Sequence, residues 1–292
     1  MSKNFNLNSV ALLCEFSASV WTARKLDKKK SDEVVTGAGA KSRGAARVNK
    51  NLLAGRPELE EIAALVTAAR TFVYENTLPW SNSGQRLIMT SRMVKFDKHV
   101  RDYVDEFDEK VGAFVAIYTS LITAQAMALG NMFDRNEYPT ADTIRSKFQM
   151  SCEYLPVPSS GDIRVDIGNQ AQDELRERLE HMTKTRIDAA VGEMQTKLTE
   201  HLQRMADRLQ TDKNKDGEEV PRRFTETLVS GAFELCDMIR DYNLTGDANL
   251  MHARKALENA LSGVTVLTLR EDPAKREDVR KAVAGILGKF QL

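Results

Sequence analysis

Seven apolar residues recur at alternating intervals of four and three: Val100, Val104, Phe107, Val111, Phe114, Tyr118 and Leu121. No strand presents that spacing on one face, whereas successive turns of an α-helix stack it into a single seam. Asp105, Glu106, Asp108, Glu109 and Lys110 fill the opposite side. The segment therefore predicts a long amphipathic helix whose seam needs a cover. An antiparallel hairpin, a bundle and a self-association surface all supply one, and spacing leaves the three open.

Other stretches share the helical period. A second long helix is predicted over 170–210, with Leu175, Leu179, Met182, Ile187, Val191, Met194, Leu198, Leu202, Met205 and Leu209 facing inward. Gly55-Arg56-Pro57 opens another, striped by Leu59, Ile62, Leu65, Val66, Ala69 and Val73. Thr140, Asp247 and Glu271-Asp272-Pro273 are capping signals, Pro221 is read as a helix start, and 211–219 is read as a polar loop. Period-two alternation marks strands at Leu12, Cys14, Phe16, Ala18 and Val20, and again at Phe148, Met150, Cys152 and Tyr154. Leu87–Thr90 is a candidate third strand. The predicted class is mainly α (α+β): a multi-helix body with long antiparallel helices, a small two- or three-stranded antiparallel sheet and a flexible basic loop near the N-terminus. Residues 1–168 would hold strand, basic arm, helical hairpin and sheet; residues 169–292 would form a C-terminal helical region packed with them as one unit.

With 292 residues, 42% of them hydrophobic and 29% charged, the chain can bury a full core. The composition predicts no membrane span, and Val10–Phe16, preceded only by Lys3, is a poor signal peptide. Cys14, Cys152 and Cys236 stand far apart, a pattern expected of buried thiols in a reducing compartment.

Formal neutrality hides a polarised molecule. Residues 21–50 carry nine basic side chains against three acidic ones, a net of +6. The other 262 residues must therefore sum to −6, because the whole chain balances at zero. The middle of this stretch, Thr36–Ala40 and Ser42–Ala46, lacks bulky apolar side chains to offset ordering entropy. A mobile cationic arm suits a polyanion, since its cations displace condensed counterions from phosphates. Single strands also stack bases on aromatic rings. The candidate nucleic-acid-binding residues are accordingly Trp21, Arg24, Lys25, Lys28, Lys29, Lys30, Lys41, Arg43, Arg47, Lys50, Tyr74, Trp80 and Arg86.

No catalytic residue, metal ligand or cofactor is predicted. His99, His181, His201 and His252 lack partners at ligand spacing. Asp212–Gly217 imitates the start of a calcium loop, but Arg223 occupies the position that needs Glu and Pro221 intrudes. Gly37–Ser42 falls short of a phosphate loop because Ala40 and Val35 stand where glycines belong. Asp105, Glu106 and Asp108 would have to converge to serve a metal-dependent nuclease, and neighbours on a helix point apart.

Several blocks, taken in order, resemble a phage protein family. They are Trp21–Asp27 (WTARKLD), Thr77–Trp80 (TLPW) with Gly84–Leu87 (GQRL), Glu137-Tyr138-Pro139, Pro156-Val157-Pro158 with Asp162–Asp166 (DIRVD), Leu244–Asp247 (LTGD) and Leu269–Asp272 (LRED). The chain resembles the Drc-like family of lytic podophages, single-stranded-DNA-binding RNA polymerase cofactors. The resemblance implies a fold other than the oligonucleotide-binding barrel. It also implies a non-enzymatic protein in the cytoplasm of the infected host, which binds melted promoter DNA and recruits the phage-encoded RNA polymerase for early-to-middle transcription. Expected partners are single-stranded DNA, that polymerase and further copies of the chain, with no membrane. The rival reading is a helical scaffold or adaptor that binds only protein.

Overall fold

The structure is a computed structural model that describes residues 7–42, 44–158, 169–213 and 219–289. In chain order these form α1 (Leu7–Val10), β1 (Ala11–Ser19), β2 (Arg24–Leu26), α2 (Lys28–Gly37), β3 (Asn49–Asn51), α3 (Glu58–Asn76), β4 (Leu78–Pro79), β5 (Arg86–Met89) and α4 (Thr90–Leu129). Then come α5 (Ala141–Arg145), β6 (Gln149–Pro156), α6 (Asn169–Arg208), β7 (Thr211–Lys213), β8 (Glu219–Pro221), α7 (Thr227–Tyr242), α8 (Ala248–Leu261), α9 (Val266–Glu271) and α10 (Pro273–Lys289). The protein is mainly helical with small antiparallel sheets and no closed barrel among the described residues, matching the expected α+β class.

The alternating segments do share a sheet, ordered β4-β5-β1-β6. Leu78-Pro79 adds a fourth strand to the three expected, because Trp80 and Ser81 both donate backbone N–H bonds to the Gln85 carbonyl and close a tight hairpin. Pro221 does not start a helix. It ends β8, paired with β7 from Thr211↔Pro221 to Lys213↔Glu219, and Arg222 fastens the hairpin by pairing with Asp207 and Asp212. Thr140, Asp247 and Asp272 cap as predicted, each side chain accepting an N–H from the following turn.

Compactness divides the chain into two units interleaved in sequence, which differs from a single cut near residue 168. Unit 1 comprises Met1–Cys14, Asn76–Val94 and Tyr154–Leu292; unit 2 comprises Glu15–Glu75 and Lys95–Glu153.

Unit 1 is built on the C-terminal part of α6. Ala190, Met194, Leu198, Leu202 and Met205 are fully buried, with α7 and α10 packed against α6 and α8 packed on those two helices. The period of this helix runs further than its burial. Leu175 and Met182, expected inward, are 39% and 43% exposed, so the helix's own stripe outlasts the helices available to cover it. Tyr242 anchors α7, its hydroxyl donating to the carbonyls of Asn76 and Leu87.

In unit 2 the 4-3 seam of α4 finds its cover within the chain. Phe107, Val111, Phe114, Tyr118 and Leu121 are buried in one cluster with Ile62, Leu65, Val66 and Ala69 of α3, while Val104 is half-buried. The seam is thus covered intramolecularly. Residues 111–129 carry no charge, and α4 holds an 18-residue window of mean hydropathy 1.5, long and apolar enough to cross a bilayer by composition. Its inward face is committed to the core: the Tyr118 hydroxyl donates to the Pro139 carbonyl, and the buried Gln125 amide donates to Ala54.

Candidate nucleic-acid interface

Much of the basic stretch is in helix or strand where a flexible loop was expected, while residues 38–42 and 44–48 are neither. β2 and β3 pair antiparallel, Arg24↔Asn51 to Leu26↔Asn49, and residues 27–48 form an excursion between them. Asp27 starts a helix there: its carboxylate accepts the Lys30 N–H at 2.9 Å. Ser31 is buried, donating its hydroxyl proton to the Asp27 carbonyl at 2.6 Å and accepting the Val48 N–H at 2.9 Å. Val35, 5% exposed, gives α2 an inward face. Two short polar residues and one valine thus order the lysine-rich part of the stretch, while the Gly/Ala-rich residues 38–42 and 44–46 lie outside helix and strand.

This places Lys28, Lys29 and Lys30 in the first turn of α2, where the macrodipole is already positive. α3 obeys the opposite and stabilising rule, with Glu58, Glu60 and Glu61 in its first turn. Lys30 pairs with Glu33 at 2.6 Å, both side chains about half exposed. Arg24, Lys25, Lys28, Lys29, Lys41 and Arg47 are all exposed, and none has a carboxylate within 4 Å among the described residues. Arg43 lies outside the described residues.

Beside β2 a groove of about 280 Å³ opens between Val20, Trp21, Thr22 and Arg24 on one side and Asn51, Leu53, Arg56, Leu59, Glu60 and Ala63 on the other. Trp21 is half-buried and set edge-on to Tyr118, centroids 5.8 Å apart at 86°. Ala23, fully buried, makes the groove's turn with φ 51°, a left-handed conformation costing a residue with a Cβ roughly 1–2 kcal/mol. Its carbonyl accepts the Leu52 N–H at 2.7 Å, so the bend is held by β3. The strained residue stands between the two groove-lining side chains Trp21 and Arg24, the kind of place where such strain is tolerated. The groove is slightly below the roughly 300–1,000 Å³ of sites for drug-sized ligands, a fit for one planar ring.

The remaining candidates separate from this surface. Lys50 is 8% exposed; its ammonium pairs with Glu137 and donates to the Met132 carbonyl at 2.9 Å, so it belongs to the frame. Trp80 is 3% exposed in the core of unit 1 with the Arg186 guanidinium 5.4 Å over its ring, leaving no face for a base. Arg86 is half-buried and spends its guanidinium on Thr77, donating to the hydroxyl at 2.6 Å and the carbonyl at 2.9 Å. Tyr74 is 47% exposed on α3 but does not line the groove.

Arg56 was missed. Gly55-Arg56-Pro57 reads as a helix start, and only the β2–β3 pairing brings its arginine opposite Trp21. Asp105, Glu106 and Asp108 are exposed around α4, and no three His, Cys, Asp or Glu among the described residues converge to hold an ion. Cys236 is buried, which pushes its thiol up to about 12, away from nucleophilic use. No protein-family model matches the chain, and comparisons with curated proteins and with solved structures return no match.

Proposed function

We propose that the protein is a non-enzymatic single-stranded-DNA-binding protein, gripping the strand along β2 and the head of α2. The observation that carries this reading is the adjacency of the Trp21 groove to a run of uncompensated cations. Arg24 and Arg56 line the groove with the ring, and β2 leads from Arg24 to Leu26 over about 7 Å at 3.3 Å per residue, with Lys28 two residues further on at the start of α2. One base would enter the groove against Trp21 while Arg24, Lys25, Lys28, Lys29, Lys41 and Arg47 neutralise phosphates on either side. A strand held this way is read by charge and stacking, which is sequence-tolerant.

The partner and setting come from the resemblance to the Drc-like phage family. The protein would coat melted promoter DNA in the cytoplasm of the infected host and bring the phage-encoded RNA polymerase to it, supporting early-to-middle transcription. Fluorescence anisotropy with a labelled oligo-dT beside its duplex tests the binding reading. Preference for the single strand, with a log-log salt slope reflecting several phosphate contacts, is expected. Equal or absent binding to both would end it. For the transcriptional part, run-off transcription by the phage polymerase on a pre-melted promoter should rise when the protein is added; no change rejects that part alone.

A further inference from the structure

Several arginines of unit 1 are paired with a carboxylate. Arg222 is shared by Asp207 and Asp212, Arg254 pairs with Glu258 at 2.5 Å, and Arg280 is held by both oxygens of Glu277 at 2.6 Å. Among those without such a pair, three border one cavity. Arg204 and Arg208 project from the last turns of α6, four residues and therefore about 6 Å apart along one face. Arg223, the immediate neighbour of the neutralised Arg222, faces them from the connection into α7. The three border one cavity of about 300 Å³ together with His201, Phe224, Thr225, Thr227 and Leu228. Among the described residues no carboxylate lines it, and none lies within 4 Å of Arg204, Arg208 or Arg223.

Three exposed guanidinium groups border one cavity, unpaired with any carboxylate among the described residues, and present positive charge that an anion would neutralise. The floor sharpens this. Phe224 and Leu228 are 7% and 5% exposed, and apolar walls strengthen a charge interaction beyond its value in water. Phe224 is fixed in place by Arg270, which donates to its carbonyl at 2.7 Å. The hydroxyls of Thr225 and Thr227 lie 2.7 Å apart. One of them must donate to the other, and the accepting hydroxyl keeps its own proton for a ligand. His201 Nε2 lies 3.2 Å from the Leu228 carbonyl, which orients the ring at the cavity wall.

We infer that Arg204, Arg208 and Arg223 form a phosphate-binding site, taking a dianionic or polyanionic phosphate through forked guanidinium donors and the threonine hydroxyls. The phosphate belongs either to a nucleic-acid backbone or to a small phosphate ester. Only the first source rests on the proposed strand binding.

Two arms distinguish the sources, both with the full chain. Sodium pyrophosphate is titrated calorimetrically, and labelled oligo-dT is titrated over a range of salt concentrations. Arg204→Gln, Arg208→Gln and Arg223→Gln are compared with Lys184→Gln, an exposed control outside the cavity. Each arginine variant should weaken pyrophosphate at least 10-fold while the control does not, and Arg208→Lys should recover part of the loss. If the oligonucleotide salt slope also falls by about 0.7 per arginine removed, the backbone is the ligand. If the slope is unchanged while pyrophosphate binding is lost, the ligand is a small phosphate ester. Absence of pyrophosphate binding together with an unchanged slope overturns the site, as does pyrophosphate binding equal in all variants. A failure of strand binding at Trp21 leaves the pyrophosphate arm readable.

Discussion

Lys28–Lys30 and Lys50 belong to one basic stretch, yet the fold uses its two ends in opposite ways. Lys50 is withdrawn from water against Glu137 and the Met132 carbonyl, tying β3 to the segment after α4. Lys28 and Lys29 stand exposed at the positive end of a helix, where they oppose its dipole. A buried, paired lysine is explained by the structure around it. A lysine placed against the local electrostatics is not, and α3, with three glutamates at the same end, shows what stability alone selects. On that difference rests the proposal that the head of α2 meets a partner outside the chain.

The largest effect should come from breaking the buried end. Lys50→Met keeps the stem's bulk but leaves Glu137 without its counter-charge and the Met132 carbonyl without a donor. Uncompensated buried charge typically costs 3–5 kcal/mol, and the 18% exposure of Glu137 points to the lower figure, about 3 kcal/mol. Urea unfolding measures it. The salt slope of DNA binding by the folded fraction should not move; if it does, Lys50 reaches phosphate and the contrast fails.

The exposed end should respond in the reverse sense. Lys28→Glu with Lys29→Glu should reduce oligo-dT affinity by about 100-fold or more and lower the salt slope by about 1.4, two contacts at roughly 0.7 each for a single strand. The same double variant should unfold at slightly higher denaturant, since acids in a first turn contribute some 0.3–1 kcal/mol each. Greater stability with weaker binding is a signature that a merely solvated lysine run would not give. Unchanged affinity would remove the head of α2 from the interface.

Trp21 and Trp80 make a second pair. Trp21→Leu should cost about 1–3 kcal/mol of binding, the usual worth of one stacked base. Trp80→Phe should disturb stability and leave affinity alone, since the ring is enclosed beneath Arg186. Anisotropy beside thermal melts separates the two; a Trp80 variant that binds weakly while melting normally would reverse the assignment.

The elements were legible in the sequence because their signals are local. The 4-3 seam gave α4, alternation gave β1 and β6, and Asp247 and Thr140 marked caps that are in place. Legibility failed where a long-range partner decides the outcome. Composition could not show that Ser31 would bridge Asp27 and Val48 and help hold the lysine-rich start of the arm as a helix, while residues 38–42 and 44–48 stay outside helix and strand. Charge counting could not tell Lys50 from Lys28, since the carboxylate that claims Lys50 is Glu137, 87 positions away. Nor could it group Arg204 and Arg208 of α6 with Arg223, because fifteen positions and the β7–β8 pairing separate Arg208 from Arg223 in the chain.

The smallest expected effect is the most specific to the groove. Glu60 belongs to the stabilising first turn of α3 and also lines the groove, where its charge opposes a phosphate near Arg24 and Arg56. Glu60→Gln should therefore trade in the direction opposite to the lysine variants. Strand affinity should rise about 2- to 5-fold at low salt, an amount that screening removes toward 1 M, where the Debye length is about 3 Å. Stability should fall by some 0.3–1 kcal/mol through the lost dipole interaction. Glu61→Gln, on the same turn but outside the groove lining, loses a comparable dipole interaction along with an exposed pair to Lys110. A rise in affinity shared equally by both variants would reflect net charge alone. A rise confined to Glu60→Gln puts the phosphate at the groove, between Trp21 and the head of α2.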